Sequence, residues 1–146
     1  MATNYPPVSF HFNVEFLGIK QQDVDTQFQS VSGLTVDIDT EEFAEGGENR
    51  FTHKFPKRSR YPNLVLKRGL VKDSAVIAWC KSAIESFEFL PIDLTVKLLN
   101  EEHDPLVTWN VVSAYPVKWS VSDFNAEQSE IAIETIELAY NYFRLV

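Results

Sequence analysis

Apolar residues at every second position constrain this chain more than any other feature. In VSFHFNVEF, Phe10, Phe12, Val14 and Phe16 fall on one parity and His11, Asn13 and Glu15 on the other. That pattern predicts a strand with one buried face. It recurs in LTVDIDT, with Leu34, Val36 and Ile38 inward and Asp37 and Asp39 outward, and in IDLTVKLL, with Ile92, Leu94, Val96 and Leu98 inward. LVTWNVVSAYPVKWSV puts Val107, Trp109 and Val111 on one parity, and Pro116 marks a bend or an edge. TQFQSVSGL and NLVLKRG read as shorter strands that stop near Gly33 and at Gly69. In EIAIETIELAYNYF the apolar parity changes, from Ile131 and Ile133 to Ile136, Leu138, Tyr140 and Tyr142. A change at Glu134-Thr135 predicts a bulge, or a strand that passes from one sheet face to another.

One segment breaks the period. In KDSAVIAWCKSAIESFEF, residues Val76, Trp79, Cys80, Ala83, Ile84 and Phe87 recur at spacings of three and four. This predicts one amphipathic helix from about Asp73 to Phe87, with Asp73 or Ser74 at its start. Strands with a single apolar face must pair into packed sheets. The expected fold is mainly β: about eight strands in two packed antiparallel sheets, a sandwich or barrel, with one flanking α-helix.

The chain has 146 residues, which suits a single domain over 1–146, and 45% of them are hydrophobic, enough for a real core. A net charge of −8 argues against general nucleic-acid binding. Cys80 is the sole cysteine, so no internal disulfide can form. No apolar run approaches the ~20 residues that span a bilayer. MATNYPPVSF has neither a basic nor an apolar signal region, so synthesis in the cytoplasm without a signal peptide is expected.

Catalytic, cofactor-binding and metal-ligating patterns are not found. His11, His53 and His103 fall in a strand, a charged loop and a turn, without metal-ligand spacing. Gly46-Gly47 lies in no phosphate-binding pattern. Cys80 sits on the apolar stripe of the helix, where a buried, inert thiol is expected. No enzymatic activity, cofactor or metal is expected. The polar candidates lie elsewhere. Glu41, Glu42, Glu45 and Glu48 occur without a base between them; Arg50, Lys54, Lys57, Arg58 and Arg60 come next without an acid. Residues 44–62 are expected to form an extended charged loop or hairpin around the two glycines. Opposite charges in separate blocks suit contacts between copies, one block meeting the other on a neighbour.

FQSVSGL at 28–34, EEFAEGGENR at 41–50, LVLKRG at 64–69, AYPVKWSVSDFNA at 114–126 and EIAIETIELAY at 130–140 occur in that order. Together they resemble the tail-tube protein family of contractile phage tails and phage-tail-like contractile injection systems. The resemblance spans nearly the whole chain. It implies two packed antiparallel sheets with a flanking helix. It implies hexameric rings whose sheets join into one inner barrel, stacked into a hollow tube inside a contractile sheath. It implies baseplate, tube-initiator and tube-terminator proteins as further partners, and effector protein or DNA as lumen cargo. The place of action would be a phage tail or an injection particle.

If strands line the lumen, their polar parity faces it. Asp37, Asp39 and Asp93 are the lumen-facing candidates, with Thr35, Thr95 and Lys97 beside them and Glu134 or Glu137 on the final strand. A mainly acidic wall would repel DNA and acidic proteins. The alternatives are a baseplate-proximal tube initiator of the same machine and, in a different class, a solitary ligand-binding β-barrel.

Overall fold

The structure is a computed structural model that describes residues 11–20, 23–44, 46–47, 50–71, 74–122 and 132–146. The described strands are β1 (His11–Phe16), β2 (Gln27–Phe28), β3 (Ser30–Ser32), β4 (Asp37–Phe43), β5 (His53–Arg60), β6 (Leu64–Gly69), β7 (Ile92–Leu99), β8 (Pro105–Val121), β9 (Ile133–Ala139) and β10 (Tyr142–Leu145). Helix α1 (Ala75–Ser86) lies between β6 and β7, and a short 3-10 turn (Asp23–Thr26) precedes β2. Phe10, Asp73 and Ile131 lie outside the described residues.

Strand β8 holds the fold together because it belongs to two sheets. Its first half pairs with β7 and β10 and its second half with β9. The order β2-β1-β7-β8-β9-β6-β3 is antiparallel throughout. The corner falls at Ser113, whose φ is +56°. There the β7–β8 register slips between Ile92 and Leu94, and the Ser113 N–H donates to the Asp93 carboxylate at 3.0 Å. A bulge of this kind turns a strand from one sheet into the next. The sheets do not close into a barrel. Gln29 alone separates β2 from β3, and its N–H donates to the Lys67 carbonyl at 2.9 Å. The covalent chain thus ties the two outer edges together.

Between the sheets lie Val14, Phe16, Phe28, Leu64, Leu66, Leu94, Val96, Val111, Ile136 and Leu138, with Val76, Trp79 and Cys80 of α1 packed against them. Ser74 caps α1 by accepting from the Ile77 N–H. Gly33 sits at φ +95°, and a Cβ there would lie 2.2 Å from the Asn63 carbonyl oxygen, so the crossing of the β3 end over the start of β6 admits no side chain.

Three sequence expectations change. On β9 the buried parity is Glu134, Ile136 and Leu138 without interruption. The apparent switch arose because a charged residue occupies a core position, and the bulge lies instead on β8 between Pro116 and Lys118. Glu134 is therefore not a lumen candidate. On α1 the apolar stripe ends early: Ile84 is half exposed, and Phe87 lies past the last helical residue, where helical periodicity no longer aims its ring inward. Third, Val36 and Ile38 are not inward; both are exposed, because β4, which Val36 leads into, pairs among the described residues only with β5 and stands apart from the core sheets.

Candidate assembly surfaces

Strands β4 and β5 form a two-stranded arm, and here the acidic and basic blocks of the sequence meet. Asp37 lies across from Arg60, and Glu42 across from Lys54. Arg60 Nε stands 3.2 Å from Asp39 Oδ1. The blocks are separate in sequence because each supplies one strand of the same hairpin. Opposed charges across a ladder stabilise it modestly. The register slips between Ile38 and Thr40, so Lys57 and Arg58 together oppose the single residue Asp39. β4 and β5 carry equal numbers of opposite charges, but at this bulge Lys57 and Arg58 face Asp39 alone, whose carboxylate Arg60 already meets. Arg50 lies just before β5, while Glu45 and Glu48 fall outside the described residues.

One side of the arm is aromatic. Phe43 and Phe55 meet edge to face at 6.5 Å, Phe51 meets His53 at 5.1 Å, and His53 stacks on Phe55 at 6.3 Å. Phe43, Phe51 and Phe55 are nonetheless exposed. An isolated two-stranded hairpin is marginal in water, and exposed aromatic rings of this kind mark a surface suited to a partner.

The second apolar surface lies at the C-terminal end of α1. Phe87 packs edge to face on Phe89 at 4.8 Å, and Phe89 on Tyr115 at 5.7 Å. Phe87, Phe89, Leu90 and Ile84 are all exposed.

The lumen candidates separate. Asp93 is on β7 at the β8 corner, its carboxylate engaged with the Ser113 N–H, while Asp37 and Asp39 lie on the arm. Beside Asp93, the outer face of β1, β7 and β8 is polar and balanced in charge. Lys97 Nζ is 3.3 Å from Glu15 Oε1, Thr95 Oγ1 donates to Asn110 Oδ1 at 3.4 Å, and His11 and His103 share a 3.0 Å hydrogen bond.

A buried ionic cluster escaped the sequence reading. Arg68 donates through Nε to Glu134 at 2.8 Å, through Nη1 to the Asp25 carbonyl at 2.8 Å and through Nη2 to Ser74 Oγ at 3.0 Å. Its guanidinium lies 4.8 Å from the centre of the Phe28 ring. The other Glu134 oxygen accepts from the Trp119 indole N–H. Asp25 in turn accepts from the Ala75 N–H at the start of α1. The cluster joins both sheets to the helix.

Beside the cluster, Cys80 is buried, and burial, with Glu134 second, pushes its thiol from 9.0 up to about 12. Burial, with Tyr61 second, pushes the Tyr140 hydroxyl from 10.0 to about 12. Both groups hold their proton more tightly when folded. Their contribution is therefore complete below about pH 9 and is lost as pH rises toward 12. Denaturant titrations should show falling stability from pH 9 upward. Cys80→Ala should remove the onset between pH 9 and 10, and a thiol reagent at pH 8 should label Cys80 only after unfolding. Rapid labelling of the native protein would contradict this.

Among the described residues no group of three or more His, Cys, Asp or Glu could hold a metal ion, and no helix is long and apolar enough to cross a membrane. Solved structures similar to this chain include components of contractile injection assemblies. A chain in the anti-feeding prophage baseplate is 27% identical, covers 100% of this chain and 97% of its own length, and superposes with a TM-score of 0.79. A chain in the anti-feeding prophage tube-terminating cap is 31% identical over 100% of this chain and 94% of its own, with a TM-score of 0.76. One in the extended sheath–tube complex of the PVC extracellular contractile injection system is 30% identical over 98% and 93%, with a TM-score of 0.73. Hcp1 from Salmonella typhimurium, at 13% identity over 94% and 86% and a TM-score of 0.56, shares the fold. No curated protein sequence matches the chain. The family model of the T4-like virus tail tube protein gp19 matches residues 8–144. The chain belongs to that tail tube family, homologous to tube components of contractile injection systems.

Proposed function

We propose that this chain is the main tube protein of a contractile injection particle, with a structural rather than a catalytic role. Six copies form a ring, rings stack into a hollow tube inside a contractile sheath, and the tube carries cargo through a target envelope. Baseplate and terminator proteins close its two ends. The chain acts as one domain over 1–146, with the arm as its projecting part.

The observation that carries this reading is the arm. Among the described residues β4 and β5 pair with no other strand, yet they hold the exposed Phe43 and Phe55, with the exposed Phe51 just ahead of β5. Such a surface suits a neighbouring copy. Glu41, Glu42, Glu45, Glu48, Arg50, Lys54, Lys57, Arg58 and Arg60 are the proposed contact residues. Glu42 lies across from Lys54 and Asp39 pairs with Arg60, so Lys57 and Arg58 at the bulge carry the largest share between copies. The lumen wall is proposed to include Asp93, on a face where Glu15 and Lys97 already offset one another. Such a wall repels cargo less than an acidic one. The proposed channel side of Asp37 and Asp39 depends on where the arm lies in the ring.

Negative-stain electron microscopy and light scattering on the purified protein test the assembly. Rings or tubes are expected, and a strict monomer at high concentration would overturn the proposal. Lys57→Glu with Arg58→Glu should leave the thermal midpoint unchanged and cut assembly sharply. Normal tubes from that variant would make these two residues a solvated face.

A further inference from the structure

We propose that the arm of one copy docks its aromatic side onto the Phe87–Phe89–Leu90 patch of a second copy. The inference rests on the tube reading above and names the receiving surface for its arm.

The argument begins with Phe87. It occupies the left-handed region, at φ 52° and ψ 35°, as the residue that terminates α1. Glycine is the residue favoured there, because a Cβ is disfavoured in this region. The Phe87 and Glu88 N–H groups both return to the Ser82 carbonyl, so the conformation is held in place. The ring gains little in return within one copy, since Phe87 remains 81% exposed. Neither backbone preference nor burial accounts for phenylalanine at this position in an isolated chain. A partner that covers the ring does.

The surroundings of Phe87 select the partner. The patch is a firm ridge, because Phe89 leans on Tyr115 and the Leu90 carbonyl accepts the Trp79 indole N–H at 2.8 Å. On its rim Glu85 and Glu88 are both exposed, with Lys81 Nζ 3.9 Å from the Glu85 carboxylate. The arm offers the complement: Phe43, Phe51 and Phe55 on one side, and Lys57 and Arg58 bulging from β5. Among the described residues no ring contact within one chain joins the arm to the ridge: Phe43 and His53 meet Phe55 on the arm, and Phe89 meets Phe87 and Tyr115 on the ridge. Two unlike, complementary surfaces on one chain generate a heterologous contact, which propagates as a ring or a stack. Apolar rings supply affinity at its centre and the charged rim sets orientation.

Phe87→Gly separates this role from folding, since glycine suits the backbone there. The variant should keep or raise its thermal midpoint while the concentration needed for assembly rises at least tenfold. In a Cys80→Ala background, Phe55→Cys protein mixed with Phe87→Cys protein should form disulfide-linked dimers on mild oxidation, and neither variant alone should give that species. Tubes that form without the mixed cross-link, or normal assembly of Phe87→Gly, would overturn the docking and leave the tube reading in place. The ridge would then belong to a different protein of the particle. A wild-type chain that never assembles would overturn the tube reading itself, and the docking with it.

Discussion

Arg68→Ala should destabilise the fold by about 3–5 kcal/mol, the cost of leaving buried carboxylates without their cation. Arg68 is 2% exposed and Glu134 is fully buried, so water cannot replace the guanidinium without opening the core. Asp25 is also buried, and among the described residues its Oδ1 has only the Arg68 ion pair at 3.5 Å to offset its charge. The same substitution frees Ser74 Oγ and the Asp25 carbonyl from their donor. The loss therefore reaches the cap of α1 as well as the β6–β9 ladder. Adding Glu134→Gln to Arg68→Ala should recover part of the loss, because the neutral amide no longer requires a counter-charge and can still accept from Trp119. Urea denaturation of the single and double variants measures both steps. A loss below about 1 kcal/mol for Arg68→Ala would mean that the cluster is hydrated and contributes as a surface pair does.

The same cluster explains where the sequence was readable and where it was not. The alternations of β1 and β7 and the spacing of α1 identify core elements, because apolar side chains on those segments do face the core. Val14, Phe16, Leu94, Val96, Val76 and Trp79 are all buried. Periodicity reads polarity as a signal of exposure, and the rule fails wherever polarity and burial part company. Glu134 is charged and buried, so β9 looked like a strand that changes faces. Val36 and Ile38 are apolar and exposed, so an arm looked like a core strand. Both failures have one physical cause: the group that satisfies each residue is remote in sequence. For Glu134 it is Arg68 across the ladder, 66 positions away. For the arm we propose that it is another copy. The charge blocks were visible from the start, but their pairing in one hairpin depends on a turn and a register that composition does not encode. Phe87 shows the same limit at smaller scale, because the spacing that places Trp79 and Ala83 inward holds only while the backbone remains helical.

Trp79→Ala should cost about 3–5 kcal/mol, as expected for removing a large ring from a packed site. Trp79 is 7% exposed and stands edge to face with Phe16 at 5.9 Å, so truncation opens a void between α1 and the core strands. The indole also fastens the chain just past the helix, since its N–H donates 2.8 Å to the Leu90 carbonyl. That bond holds the segment carrying Phe87 and Phe89 against the fold. Trp79→Phe tests the two roles separately. It keeps most of the apolar contact and loses the donor, so the stability cost should fall to about 1–3 kcal/mol, the range for a buried acceptor left unpaired. Hydrogen exchange should then show faster opening at residues 87–90 while the core strands remain protected. If that segment also presents the ridge to a second copy, Trp79→Phe should weaken assembly by more than its stability loss predicts. A denaturation midpoint unchanged in Trp79→Ala would place the ring outside the core, and unchanged exchange at 87–90 in Trp79→Phe would remove the link between the helix and the ridge.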